Sequence, residues 1–326
     1  MNYEARGPRL DRVLALNFQG DWGQANFHRV CSWLCQEVID RSAKGTRVAI
    51  WNGCGGADAA AAISLKQVDL AISTPARFAA MAIDGAGPFK GKRHPELRAL
   101  ATIPQRDRLV LAIDERHGIE SFRDLRERKP PLRIAASVDD GVNHIGFAAQ
   151  RMLEASGIPR QALLDWGGSF WEAERPELCL AEAAAGGVDA VIQEAIMTPW
   201  WQDLMAARRM RLLSFEQAAL DQVRAAYGWE DATLEAGYFA GMRESVRALD
   251  FSDFIVLVHA DMPDDLAHLL TWCLCETRGV LEAQYRHIPP DRSPITYPLD
   301  PRHMARTSVP LHRGALHYYR DAGIAV

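Results

Sequence analysis

The stretch from Val48 to Pro75 decides the fold, and it reads VAIW, NGCGG, ADAAAAISLK, QVDLAI and STP in succession. Four apolar residues closed by a glycine loop predict a strand. The alanine-rich segment Ala57–Lys66 predicts a helix, because alanine loses no side-chain freedom there. The apolar run Val68–Ile72 predicts a second strand. Ser73-Thr74-Pro75 predicts the start of another helix, with Thr74 as cap and Pro75 in its first turn. Strand, tight loop, helix and strand is the building block of a parallel sheet covered by helices.

The same rhythm extends in both directions. Arg12–Phe18 predicts a strand, and Ala25–Arg41 a helix with apolar residues at Phe27, Val30, Leu34, Val38 and Ile39. Leu97–Ile103 and Arg108–Ile113 predict two more strands. The second half repeats the pattern in kind, with strands at Leu132–Ser137, Ala162–Trp166, Val188–Gln193 and Met210–Ser214. Helices are expected at Val142–Ser156, Glu177–Ala185 and Pro199–Arg208, then strand Phe254–His259 and one long helix Asp264–Glu282. The expected class is α/β, in two lobes. Residues 1–113 with 250–326 form lobe I, and 114–249 form lobe II.

The 326 residues carry 37 Lys and Arg against 42 Asp and Glu, a net charge of −5. That balance argues against nucleic acid as a partner, which needs a strongly basic face. No run approaches the roughly 20 apolar residues that insertion into a membrane requires. Polar residues run to Arg12 and the apolar stretch after them, Val13–Leu16, is short, so no signal peptide is read. The expected location is cytoplasmic, or periplasmic if a leader has been removed. The six cysteines are too sparse for a disulfide scaffold. No dinucleotide or phosphate-loop fingerprint, Gly-x-Ser-x-Gly or His-Glu-x-x-His occurs, and neither cofactor nor metal is expected.

Five blocks carry a family resemblance. They are Gly87–Lys92 with Leu97–Thr102, Gly118-Ile-Glu-Ser-Phe-Arg-Asp-Leu125, Arg133–Ser137 with Gly141 and Met152–Ile158, Gly187-Val-Asp-Ala-Val191, and Pro310-Leu-His-Arg-Gly-Ala-Leu-His-Tyr-Tyr-Arg320. In this order and spacing they resemble the TAXI family of solute receptors for TRAP transporters. The resemblance implies a type-II periplasmic-binding-protein fold with a ligand cleft between the lobes. It also implies a small-molecule carboxylate as ligand and, if the protein is exported, TRAP membrane subunits as partners. Two loops depart from the family pattern, Asn17–Phe27 and Asn52–Asp58.

In such a fold the ligand meets strand C-termini and helix N-termini, whose free N–H groups favour carboxylates. Four loops fall there: Gly20–Gln24, Asn52–Gly56, Ser73–Arg77 and Ser137–His144. The candidate ligand-binding residues are Trp22, Asn52, Gly53, Cys54, Ser73, Thr74, Arg77, Ser137, Asn143 and His144, with Trp166, Thr198 and Trp200 from the facing loops of lobe II. Aromatic walls suit a ligand with a flat or apolar part. Arg77 suits a carboxylate clamp or a solvated helix face. Cys54 reads as a reactive thiol or a packing residue. Two functions remain open. One is a receptor that closes its lobes around an organic acid. The other is a cytoplasmic enzyme on the same fold, a decarboxylase or other lyase, with His144, Cys54 and Asp140 as its catalytic groups.

Overall fold

The computed structural model describes residues 7–21 and 26–326. Its strands are β1 (Ala15–Gln19), β2 (Arg47–Trp51), β3 (Leu70–Ser73), β4 (Leu97–Ile103), β5 (Arg108–Asp114), β6 (Arg133–Ser137), β7 (Ser169–Ala173), β8 (Ala190–Glu194), β9 (Met210–Leu213), β10 (Asp231–Leu234), β11 (Val246–Asp250) and β12 (Phe254–His259). They form two sheets, one in each of two units.

Unit 1 comprises residues 1–106 and 252–326. Its sheet runs β2-β1-β3-β12-β4. β1 is parallel to β2, with Phe18 opposite Ile50, and parallel to β3. β12 returns antiparallel between β3 and β4. Helix Asn26–Asp40 buries Phe27, Val30, Leu34 and Val38 against Leu16 and Phe18, the stripe its spacing predicts. Ile39 lies off that stripe and is exposed. The expected helix Asp264–Glu282 breaks at Thr277 into Asp264–Glu276 and Arg278–Ala283. The Thr277 hydroxyl donates to the carbonyl of Cys273 at 2.9 Å, a local bond that bends helices.

Unit 2 is residues 107–251. Its sheet runs β10-β11-β5-β8-β6-β7, with β9 also on β5. β6, β7 and β8 are parallel, and β5 is antiparallel to β8, with Leu109 opposite Glu194. Because β5 pairs with β8, β9 and β11, it belongs to this sheet. The chain therefore leaves unit 1 after Arg106 and returns after Phe251, where the sequence reading places the crossings at 113–114 and 249–250. Ala162–Trp166, read as a strand, is the end of helix Arg160–Asp165 and its cap. Pro159 supplies the extended residue that starts this helix, and Leu163 is the residue it buries. No helix among the described residues is long and apolar enough to cross a membrane.

Candidate functional site

Since β1, β2 and β3 are parallel, their C-terminal ends lie along one edge of the unit 1 sheet, and the loops that follow are fastened to one another there. The Gly20 N–H donates to the Trp51 carbonyl at 3.0 Å, and the Thr74 N–H to the Gly55 carbonyl at 2.9 Å. The Ser73 hydroxyl donates to the Gly56 carbonyl at 3.3 Å. Asp58, in the first turn of helix Ala57–Ser64, gathers the glycine loop. Its carboxylate accepts from Gln19 Nε2 at 2.6 Å, the Cys54 N–H at 2.7 Å and the Gly56 N–H at 2.9 Å. A Cβ at 53 would stand 2.1 Å from Gln19 Nε2 and 2.7 Å from Asp58 Oδ2, so any larger residue there has to displace the Gln19–Asp58 hydrogen bond.

This edge holds Asn52, Gly53, Cys54, Ser73, Thr74 and Arg77 together. Asn52 and Arg77 are exposed, Gly53, Cys54 and Thr74 are half-buried, and Ser73 is buried. Trp22 lies outside the described residues. Thr74 is not a helix cap as expected. Pro75 takes an extended backbone conformation (φ −69°, ψ 153°), so a short 3₁₀ turn begins at Ala76, and Thr74 Oγ1 donates instead to the Asp253 carbonyl at 3.2 Å. Trp51 closes β2 and is 56% exposed, its Nε1 donating to Asn17 Oδ1 at 2.9 Å.

In unit 2 the C-terminal ends of β6, β7 and β8 likewise share one edge. Ser137 ends β6, and its hydroxyl accepts from Gln193 Nε2 at 2.7 Å in a fully buried contact. Asp140 Oδ1 accepts from the N–H groups of Val142 and Asn143, turning the chain into helix His144–Ala155. Asn143 caps that helix. Its Oδ1 accepts from Ile145 at 3.0 Å and Gly146 at 3.2 Å, while its Nδ2 donates to the Glu174 carbonyl at 2.9 Å. His144 is buried in the first turn. The helix start presses on the end of β6 so closely that a Cβ on Gly146 would lie 2.0 Å from the Val138 carbonyl. Thr198 opens helix Thr198–Ala207 beyond β8, and Trp200 in its first turn is 38% exposed.

Trp166 does not join this group. The Ser169 N–H at the start of β7 donates to the Leu132 carbonyl, just before β6 begins. Trp166 therefore sits at the strand-start end of the sheet, opposite Ser137, because its segment is helical rather than a strand. His144 and Asp140 belong to unit 2, and Cys54 to unit 1.

Several polar residues at these edges escape sequence reading. Asp107 and Glu194 form a buried carboxyl pair beside the end of β8. Asp107 Oδ1 accepts from the N–H groups of Arg108 at 2.6 Å and Ile196 at 3.0 Å. Burial, foremost, pushes Asp107 up to about 7. Burial and then the Asp107 charge push Glu194 well above the usual carboxylate range. Two such groups in contact share protons as a unit. In unit 1, Asp21 accepts from the N–H groups of Phe27 at 3.3 Å and His28 at 3.4 Å, and its burial raises its pKa. Asp253 Oδ2 accepts from His303 Nε2 at 3.1 Å, and that bond raises the pKa of the imidazole. An aspartate just ahead of an apolar-periodic segment is the readable signal for Asp21. Asp107, Glu194, Asp253 and His303 carry no local signal, since contact between distant chain segments creates their environment. Among the described residues no three His, Cys, Asp or Glu side chains converge to hold a metal ion.

No curated protein matches the chain. Among solved structures it is similar to a Xanthomonas citri protein bound to ATP, at 10% identity and TM-score 0.52, covering 95% of this chain and 99% of that one. It is also similar to a structure described as a periplasmic transporter, at 12% identity and TM-score 0.50, covering 88% and 90%. PhnD1 from Prochlorococcus marinus, in complex with methylphosphonate, is matched at 10% identity and TM-score 0.48, covering 79% and 80%. The fold is that of the periplasmic-binding-protein class. Residues 30–323 match the model of the NMT1-like family, and the chain belongs to that family.

Proposed function

We propose that the protein is a receptor for small organic carboxylates, of the TAXI type that its sequence blocks resemble. What supports this reading is the edge of unit 1, where three parallel strands end in loops bound to one another through Gly55, Gly56 and Asp58, with the Arg77 guanidinium exposed beside them. Loops fixed before the ligand arrives lose little freedom on binding. In unit 2 the Asn143-capped helix start adds a positive dipole end. Closure of the lobes about the crossings near residues 106 and 251 is the motion that accompanies such capture. Trp51 and Trp200 suit a ligand with a flat or apolar part. If the protein is exported, TRAP membrane subunits are its partners.

A second reading is a lyase on the same fold. The buried Asp107–Glu194 pair favours it, being a store of protons at the strand ends of unit 2. His144, Asp140 and Cys54 are then its candidate catalytic groups. One experiment separates the two. The purified protein is incubated with a panel of aliphatic and aromatic carboxylates, and both the protein-bound and the free compounds are weighed by mass spectrometry over hours. A compound retained one to one and unchanged supports the receptor. A compound consumed beyond one equivalent replaces it with the enzyme, and loss of that turnover in Cys54→Ser then identifies a covalent thiol.

A further inference from the structure

We propose that His303 is an anion contact of unit 1, joining Arg77 and Arg306 to hold a carboxylate beside Thr74; this rests on the carboxylate-receptor reading and names a residue that sets its specificity.

The chain of contacts runs through Asp253, which stands in the left-handed region (φ +64°), where aspartate is tolerated better than most residues. The polar groups of Asp253 bond along this edge, its N–H donating to the Gln105 carbonyl at 3.0 Å. Its carbonyl accepts from the Ala76 N–H at 2.9 Å and from Thr74 Oγ1 at 3.2 Å. Its Oδ1 accepts from the Gln105 N–H at 2.9 Å, and its Oδ2 from His303 Nε2 at 3.1 Å. One residue thus fastens the imidazole to the loop that carries Thr74 and Arg77. The segment bearing His303 is tied to the same place twice more. The Ser308 hydroxyl donates to the Ala76 carbonyl, and Thr102 Oγ1 donates to the Arg306 carbonyl at 2.8 Å.

The chemistry of the pair follows from its exposure. The His303 side chain is 45% exposed and that of Asp253 is 24% exposed. A protonated imidazole has two N–H donors, and one of them is directed at Asp253. The other is a donor that a ligand carboxylate accepts from. The charged groups that act on His303 are Asp253 across the contact, and Asp300 and Arg306 on its own segment, with Arg302 adjacent in sequence. The hydrogen bond to Asp253 is the largest influence and favours the charged form. The imidazolium is therefore fully present in acid and disappears as pH rises through its elevated pKa. Carboxylate affinity should follow it in the same direction.

The test is calorimetry with succinate and with benzoate, on the full chain and its variants His303→Gln and His303→Lys. For whichever acid binds, wild-type affinity should be about tenfold tighter near pH 5.5 than near pH 8. His303→Gln should bind weakly at both values, and His303→Lys tightly at both. Circular dichroism checks that each variant is folded. A His303→Gln protein with the wild-type affinity and the wild-type pH profile overturns the inference while leaving the receptor intact. Wild-type protein that holds neither acid at either pH overturns the carboxylate reading, and the inference with it.

Discussion

The N–H of Phe251 donates to the carbonyl of Asp107 at 3.2 Å, so the last residue of unit 2 is bonded to its first. The same Asp107 turns its carboxyl inward, onto the N–H of Ile196 and toward Glu194. The closure of unit 2 and the loop after β8 thus depend on one residue whose charge is suppressed by burial.

A pH dependence of stability follows. Asp107 and Glu194 keep protons in the folded state that the unfolded chain, with ordinary carboxylates near pKa 4, has already released. Folding therefore takes up protons between about pH 4 and about pH 7, and stability falls as pH rises through that window. Asp107→Asn keeps the oxygen that accepts from Ile196 and removes the charge. It should be more stable than wild type at pH 8 by about 1–3 kcal/mol, and nearly equal to it at pH 4.5. Urea denaturation at the two pH values checks this, and an Asn variant that tracks wild type at both contradicts it.

Asn143 spends its side chain on three backbone groups, two at the helix start and one at Glu174. Asn143→Ala should cost about 1–2 kcal/mol. Asn143→Asp, which keeps the capping oxygens, should cost less. Equal stabilities of the two variants in thermal denaturation would show that the cap is not what holds this loop.

Gly146 meets backbone rather than a movable side chain. A methyl group there has to push helix His144–Ala155 off the end of β6. Gly146→Ala should destabilise by about 1–3 kcal/mol, as overpacking does elsewhere. Its amide exchange should rise along that helix, and unchanged exchange with unchanged stability counts against the close contact.

Arg77→Ala should leave stability within about 0.5 kcal/mol of wild type, because the side chain is exposed. It should weaken carboxylate binding by about 1.5–3 kcal/mol if the guanidinium makes a charge-assisted bond. Calorimetry that finds wild-type affinity removes Arg77 from the site.

The legible part of the fold is the part encoded locally. Residues 48–75 declare strand, loop, helix and strand because each segment has its own period and its own punctuation. The stripe Phe27, Val30, Leu34 and Val38 is equally local. Trp166 is misplaced because a short apolar segment fits a strand or a helix, and only the pairing of β7 with β6 decides which end of the sheet it reaches. The assignment of β5 fails for a similar reason. Its apolar run follows that of β4 after one short polar segment, yet its partners are β8, β9 and β11. Asp107 with Glu194 and Asp253 with His303 are pairs made by tertiary contact, and nothing within a few residues of either partner announces the other.

Trp51 gives the protein an optical reporter of its own. Of the nine tryptophans, Trp33, Trp201 and Trp229 are buried, whereas Trp51 presents 56% of its surface to solvent one residue before Asn52. Its emission is open to an aqueous quencher such as iodide, while that of the buried indoles is shielded. A molecule settling on the glycine loop changes the surroundings of that neighbouring ring, so occupancy can be followed by light without attaching a dye.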